Sequence, residues 1–88
     1  MTTLVETING LLRSEANISR GAGRAMHGGN GGQKAANTRK YNKLVKDNSV
    51  EDLKAAFNAA VAEGDYGDMH RQRDIDAAVR QVRFRLFH

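Results

Sequence analysis

Six of the nine glycines in this 88-residue chain fall between Gly21 and Gly32. The cluster interrupts the hydrophobic pattern and divides the sequence into one helical stretch before it and several after it. From Ile18 to Gln33 no apolar periodicity can be traced, and the segment holds Gly21, Gly23, Gly28, Gly29, Gly31 and Gly32 without any Pro. Such a composition predicts a flexible loop whose backbone reaches conformations closed to other residues. Loops of this length inside small domains are usually functional or disordered.

Ahead of the loop, Thr3 and Glu6 have capping-box spacing, and Leu4, Val5, Ile8, Leu11 and Leu12 recur at helical intervals. The pattern predicts a helix from Thr3 to about Asn17 with one apolar face. Gly10 interrupts that face, at a cost of about 1 kcal/mol relative to Ala, and is read as a point of close packing. Beyond the loop a second helix is expected from Lys34 to about Lys46, with Tyr41, Leu44 and Val45 as apolar contacts. Ser49 is a good N-cap for a third, which has Glu51 and Asp52 in its first turn and a stripe of Val50, Leu53, Phe57, Ala60 and Val61. Gly64 has the character of a C-cap. A last helix is expected from Asp68, with Ile75, Ala78, Val79, Val82 and Leu86 on one face. Val82 to Leu86 also alternates as a short strand would, but no second strand is available to pair with it.

The expected fold is therefore all-α: a small bundle of about four short helices with a long Gly-rich basic loop, about 18–33, between the first and second. Eighty-eight residues suit a single helical domain over 1–88. With no Cys there is no disulfide framework or thiolate metal cluster, so packing must hold the fold. No basic segment followed by an apolar run opens the chain, and no window approaches the roughly 20 apolar residues of a membrane span. A soluble, cytoplasmic protein with no membrane span is expected.

Charge is segregated along the sequence. Between Ala16 and Lys46 there is no acidic residue, while Arg20, Arg24, Lys34, Arg39, Lys40, Lys43 and Lys46 give that stretch a charge of +7. Residues 47–68 carry −5 and the last twenty +3, within an overall +4. A run of this kind repels itself and attracts polyanions or an acidic protein face.

The Gly-rich segment does not match the phosphate loops it superficially suggests. A Walker loop needs Gly before its Lys and Ser or Thr after it, whereas Gln33 precedes Lys34 and Ala35 follows, and no strand leads in. The dinucleotide fingerprint fails because Met26 stands where its third glycine belongs. A plainer reading survives: backbone amides at the start of the second helix, with Lys34, Arg39, Lys40 and Lys43, meet the phosphates of a nucleic acid. Arg39, Lys43 and Lys46 share one helix face with Lys40 beside them. The competing account is a solvated face whose charges balance the acidic segment from Asp47 to Asp68. Tyr41 has a possible role in base stacking, although its spacing with Leu44 and Val45 favours the core.

Near the C-terminus Arg80, Arg83 and Arg85 form a second basic group. Asp76 stands four residues before Arg80 as a helical ion pair, and cations there complement the helix dipole. Phe84 lies about 180° around the axis from Ile75, at roughly 100° per residue, and so faces a partner unless this end is buried on several sides. Catalysis finds little support, because His27, His70 and His88 are scattered and no metal-ligand or acid–base spacing is present. No cofactor and no metal are expected.

Two functions follow as expectations. The first is a small basic non-enzymatic nucleic-acid-associated protein that contacts DNA or RNA phosphates through residues 20–46 with weak sequence specificity. Its contact residues are Arg20, Arg24, Lys34, Arg39, Lys40, Lys43 and Lys46, with the Arg-rich last helix assisting; these residues with Arg83 and Phe84 are the candidates for binding nucleic acid or a protein partner. The second is a protein-interaction module, a small accessory or inhibitor protein that docks on a larger enzyme or assembly, an acidic protein partner, through Arg-rich and aromatic surfaces. Homodimerisation is a further expectation, because Leu4, Ile8, Leu11 and Leu12 offer more apolar surface than so small a core readily covers.

Overall fold

The apolar positions at helical spacing fold into four helices in a computed structural model: α1 (Leu4–Gly21), α2 (Gly31–Asp47), α3 (Val50–Glu63) and α4 (Gln72–Phe87). The structure describes residues 3–21, 31–64 and 71–87, with the backbone alone for 20, 21 and 31–33. Among the described residues there is no strand, and Val82–Leu86 is helical. The fold is a small all-α bundle.

The helix signals in the sequence act as local chemistry requires. The Glu6 amide donates to Thr3 Oγ1 at 3.1 Å, which satisfies one of the amides that open α1. Ser49 Oγ accepts from the Asp52 amide at 3.1 Å and caps α3. Gly64 closes that helix at φ +60°, a left-handed conformation that glycine reaches without steric cost. Between α2 and α3 the chain turns within Asn48 and Ser49, and the Asn48 amide and side chain both donate to the Leu44 carbonyl at 3.1 Å.

Every helix contributes to one apolar cluster: Ile8, Leu11 and Leu12 from α1, Tyr41 and Leu44 from α2, Leu53, Ala56, Phe57 and Ala60 from α3, and Val82 and Leu86 from α4. Burying a side chain of Leu or Ile size stabilises the fold by about 2 kcal/mol, and several here are completely enclosed. Helix α1 is the centre of the bundle and packs most extensively on α4 and then α3. Edge-to-face contact of Phe57 with Phe87, centroids 5.6 Å apart, joins α3 to the end of α4.

Several expectations need correction. Ile18 and Ser19 are not loop residues, because α1 continues to Gly21, Ile18 is buried, and Ser19 bonds to α4. Residues 31–33, placed in the loop from the sequence, begin α2. Gly10 is not a point of close approach: it is exposed, and nothing lies within 4 Å of where its Cβ would be. Val45 and Val50 leave the stripes assigned to them and stand about half exposed. Each lies off the arc that faces the core, which in α2 is drawn by Asn37, Tyr41 and Leu44. The Asp76–Arg80 ion pair is not formed; Asp76 Oδ1 instead accepts from Gln72 Nε2 at 2.9 Å. Arg24, with the glycines at 23, 28 and 29, lies outside the described residues, as do all three histidines and residues 68–70 of the expected last helix.

Candidate functional site

Helix α2 presents two chemically different flanks, and both follow from where its core face points. With Asn37, Tyr41 and Leu44 directed inward, roughly 100° per residue places Arg39, Lys43 and Lys46 on the outer side, with Lys40 at its edge next to Leu44. All four are exposed. Among the described residues none of them comes within 4.0 Å of a carboxylate, so Asp47, Glu51, Asp52 and Glu63 do not occupy them. Lys40 and Lys43 also border a shallow hollow of about 420 Å³ with Leu4, Thr7, Leu44 and Asp47.

Lys34 is separated from that stripe. It projects roughly 140° around the axis from Arg39 and lines a cleft of about 330 Å³ between α2 and α4, over the C-terminal half of α1. Glu15 and Tyr41 line the cleft, and behind them stands Asn37, a polar side chain where the helical pattern calls for an apolar one. Asn37, 1% exposed, donates from Nδ2 to Glu15 Oε1 at 2.9 Å and to Ser14 Oγ at 3.0 Å. The Tyr41 hydroxyl donates to the same Glu15 oxygen at 3.1 Å. Burial, then the charge of Glu15 and the bond to it, push the Tyr41 phenol well above its ordinary value, and Arg85 partly opposes them.

Arg85 forms the wall contributed by α4 together with Ala77 and Gln81. Its guanidinium carbon sits 5.2 Å from the Tyr41 ring centroid, and its Nη2 donates to Thr38 Oγ1 at 3.0 Å. Thr38 in turn donates to the Lys34 carbonyl at 3.0 Å. Near the mouth of the cleft, Ser19 donates to Oδ1 of Asp74 at 3.0 Å. Asp74 is 1% exposed, and among the described residues its Oδ2 has no hydrogen-bond partner.

The remaining sequence-derived candidates are dispersed. Arg83 lies with its guanidinium carbon 5.6 Å from the Phe57 ring centroid, and Phe84, 53% exposed, is on the outer face of α4. The side chain of Arg20 and all of Arg24 fall outside the described residues. Sequence reasoning missed Glu15, Asn37 and Arg85 as a set. A signal for two of them was present: Glu15 follows Leu11 by four residues and Asn37 precedes Tyr41 by four, so both are polar residues in core register.

Among the described residues no group of His, Cys, Asp or Glu could hold a metal ion, and no helix is long and apolar enough to cross a membrane. The fold and surface define a small helical bundle with a cationic helix face and a separate polar cleft. No family model, curated protein or solved structure matches the chain.

Proposed function

We propose that this is a small non-enzymatic protein that associates with nucleic acid by gripping phosphates along the outer face of α2. The observation that carries the reading is the exposed row of Arg39, Lys40, Lys43 and Lys46, without carboxylate partners among the described residues, inside a stretch lacking any acidic residue. Helical rise places Arg39 and Lys46 about 10 Å apart along the axis, a span that meets successive phosphates of a backbone. Contacts of this kind fix position and carry no base readout, so sequence specificity is weak.

The test is fluorescence anisotropy with labelled single- and double-stranded DNA and RNA, at low and at near-physiological salt. Binding is expected to weaken steeply with salt, and joint reversal of Arg39 and Lys43 to Glu should flatten the log–log salt slope on duplex by about 2. Absence of binding to every nucleic acid at low salt overturns the proposal.

A second reading, docking on an acidic protein face, draws on Phe84 and Arg83 of α4, since aromatic and Arg side chains anchor interfaces. It would take precedence if charge reversal on α2 left function in the cell intact while substitution of Phe84 abolished it.

A further inference from the structure

Arg85 is a cation set in place with no carboxylate within 4.0 Å among the described residues. A half-buried guanidinium normally meets an anion, because desolvation of a charge is costly unless it is paired. Here the side chain is fixed twice, by the Tyr41 ring beneath it and by the hydrogen bond to Thr38 Oγ1, yet among the described residues no carboxylate lies within 4.0 Å of it. One of its five N–H groups is engaged with Thr38, which leaves several donors for a ligand. Lys34 stands on the same cleft with its own ammonium, and Gln81 adds an amide.

The support beneath Arg85 is more elaborate than packing requires. Tyr41 is oriented by its bond to Glu15, and Glu15 by Asn37, so three buried or half-buried polar groups hold one ring in position. Such a network costs stability relative to an apolar core and favours one geometry over others. What it positions is the platform on which Arg85 rests.

We propose that the cleft between α2 and α4 binds a phosphomonoester group, with Arg85 and Lys34 as its cationic contacts. A phosphomonoester brings a charge of about −1.5 to −2 and three acceptor oxygens, which suits two cations and the amide of Gln81. A carboxylate brings two acceptor oxygens against the phosphate's three, and so engages fewer of the donors that Arg85, Lys34 and Gln81 offer. Arg85 offers the planar fork that engages two phosphate oxygens at once. The charge of Glu15 opposes the ligand, so its removal should tighten binding. This site lies on the opposite flank of α2 from the Arg39–Lys46 row and does not depend on that row binding nucleic acid. The phosphate has two possible sources: the 5′-terminal phosphate of an oligonucleotide, or a free phosphate compound.

Proton–nitrogen NMR of the full chain, titrated with inorganic phosphate against chloride at constant ionic strength, tests the proposal. The side-chain Nε–Hε signal of Arg85 and the amides of Thr38 and Tyr41 are expected to shift saturably, with a Kd of about 1 mM or tighter. Lys34→Gln, at an exposed position, should weaken binding about tenfold, Arg85→Lys should weaken it similarly by removing the fork, and Glu15→Gln should tighten it. A second titration compares a 5′-phosphorylated oligonucleotide with its 5′-hydroxyl form, in the Arg39→Glu, Lys43→Glu background to suppress backbone binding. Preference for the phosphorylated form assigns the site to nucleic-acid ends, and equal behaviour together with saturable inorganic phosphate assigns it to a free compound. No saturable shift at Arg85, or shifts unaffected by Lys34→Gln in a protein with unchanged circular dichroism, overturns the proposal.

Discussion

Tyr41 has its ring in the core, its hydroxyl on Glu15 and a guanidinium over one face, and these contacts decide how it responds to pH. Burial and the Glu15 carboxylate both oppose formation of the phenolate, so the folded protein keeps this proton beyond the point at which an unfolded Tyr, near pKa 10, releases it. Above that pH the unfolded chain binds fewer protons than the folded one. The stabilising contribution of Tyr41 is therefore complete below about pH 10 and declines as pH rises further. Tyr41→Phe retains the ring beneath Arg85, loses about 1 kcal/mol at neutral pH with the bond to Glu15, and should soften the alkaline loss. Urea unfolding of both proteins from neutral pH to above pH 10 checks this, and equal alkaline sensitivity would contradict it. At this scale the sequence was only partly legible. Tyr41 could be assigned to the core from its spacing with Leu44, whereas the bond that makes it unusual joins residues 26 apart and needs α1 and α2 to be packed first.

Helix boundaries show which signals are local. The caps at Thr3, Ser49 and Gly64 were readable because each acts within three or four residues of itself. The end of α1 was not. Ile18 and Ser19 follow a loss of periodicity, yet Ile18 is buried and Ser19 reaches Asp74, 55 residues away, so tertiary partners extend the helix beyond the point its pattern predicts. Gly10 is the converse case. Glycine in mid-helix suggested a close neighbour, but the space beside it is open, so no packing demand favours glycine over alanine there. Gly10→Ala should therefore stabilise the protein by about 0.5–1 kcal/mol, seen as a higher urea midpoint with unchanged slope. A lower midpoint would mean that a neighbour does need the space.

At the scale of the whole molecule, α1 spends its apolar residues inside the bundle. Ile8, Leu11 and Leu12 are enclosed by the other helices and Leu4 is partly covered, so the surplus of apolar surface that suggested homodimerisation is not on the outside. Light scattering at high protein concentration should return the mass of one chain; a dimer would direct attention to Val45, Val50 and Phe84, the large apolar side chains that stand exposed. The sequence alone determined four helices, their caps and the concentration of positive charge around α2, because hydrophobic period, capping and charge are properties of neighbours along the chain. Only the tertiary structure decided which way that charge faces. It turned the face shared by Arg39, Lys43 and Lys46, already legible from their spacing, away from the core, left Lys34 on the cleft, and brought Arg85 over Tyr41. The reason is physical: the direction of a helix face is set by what the core must bury, and a cleft exists only once three helices have met around it.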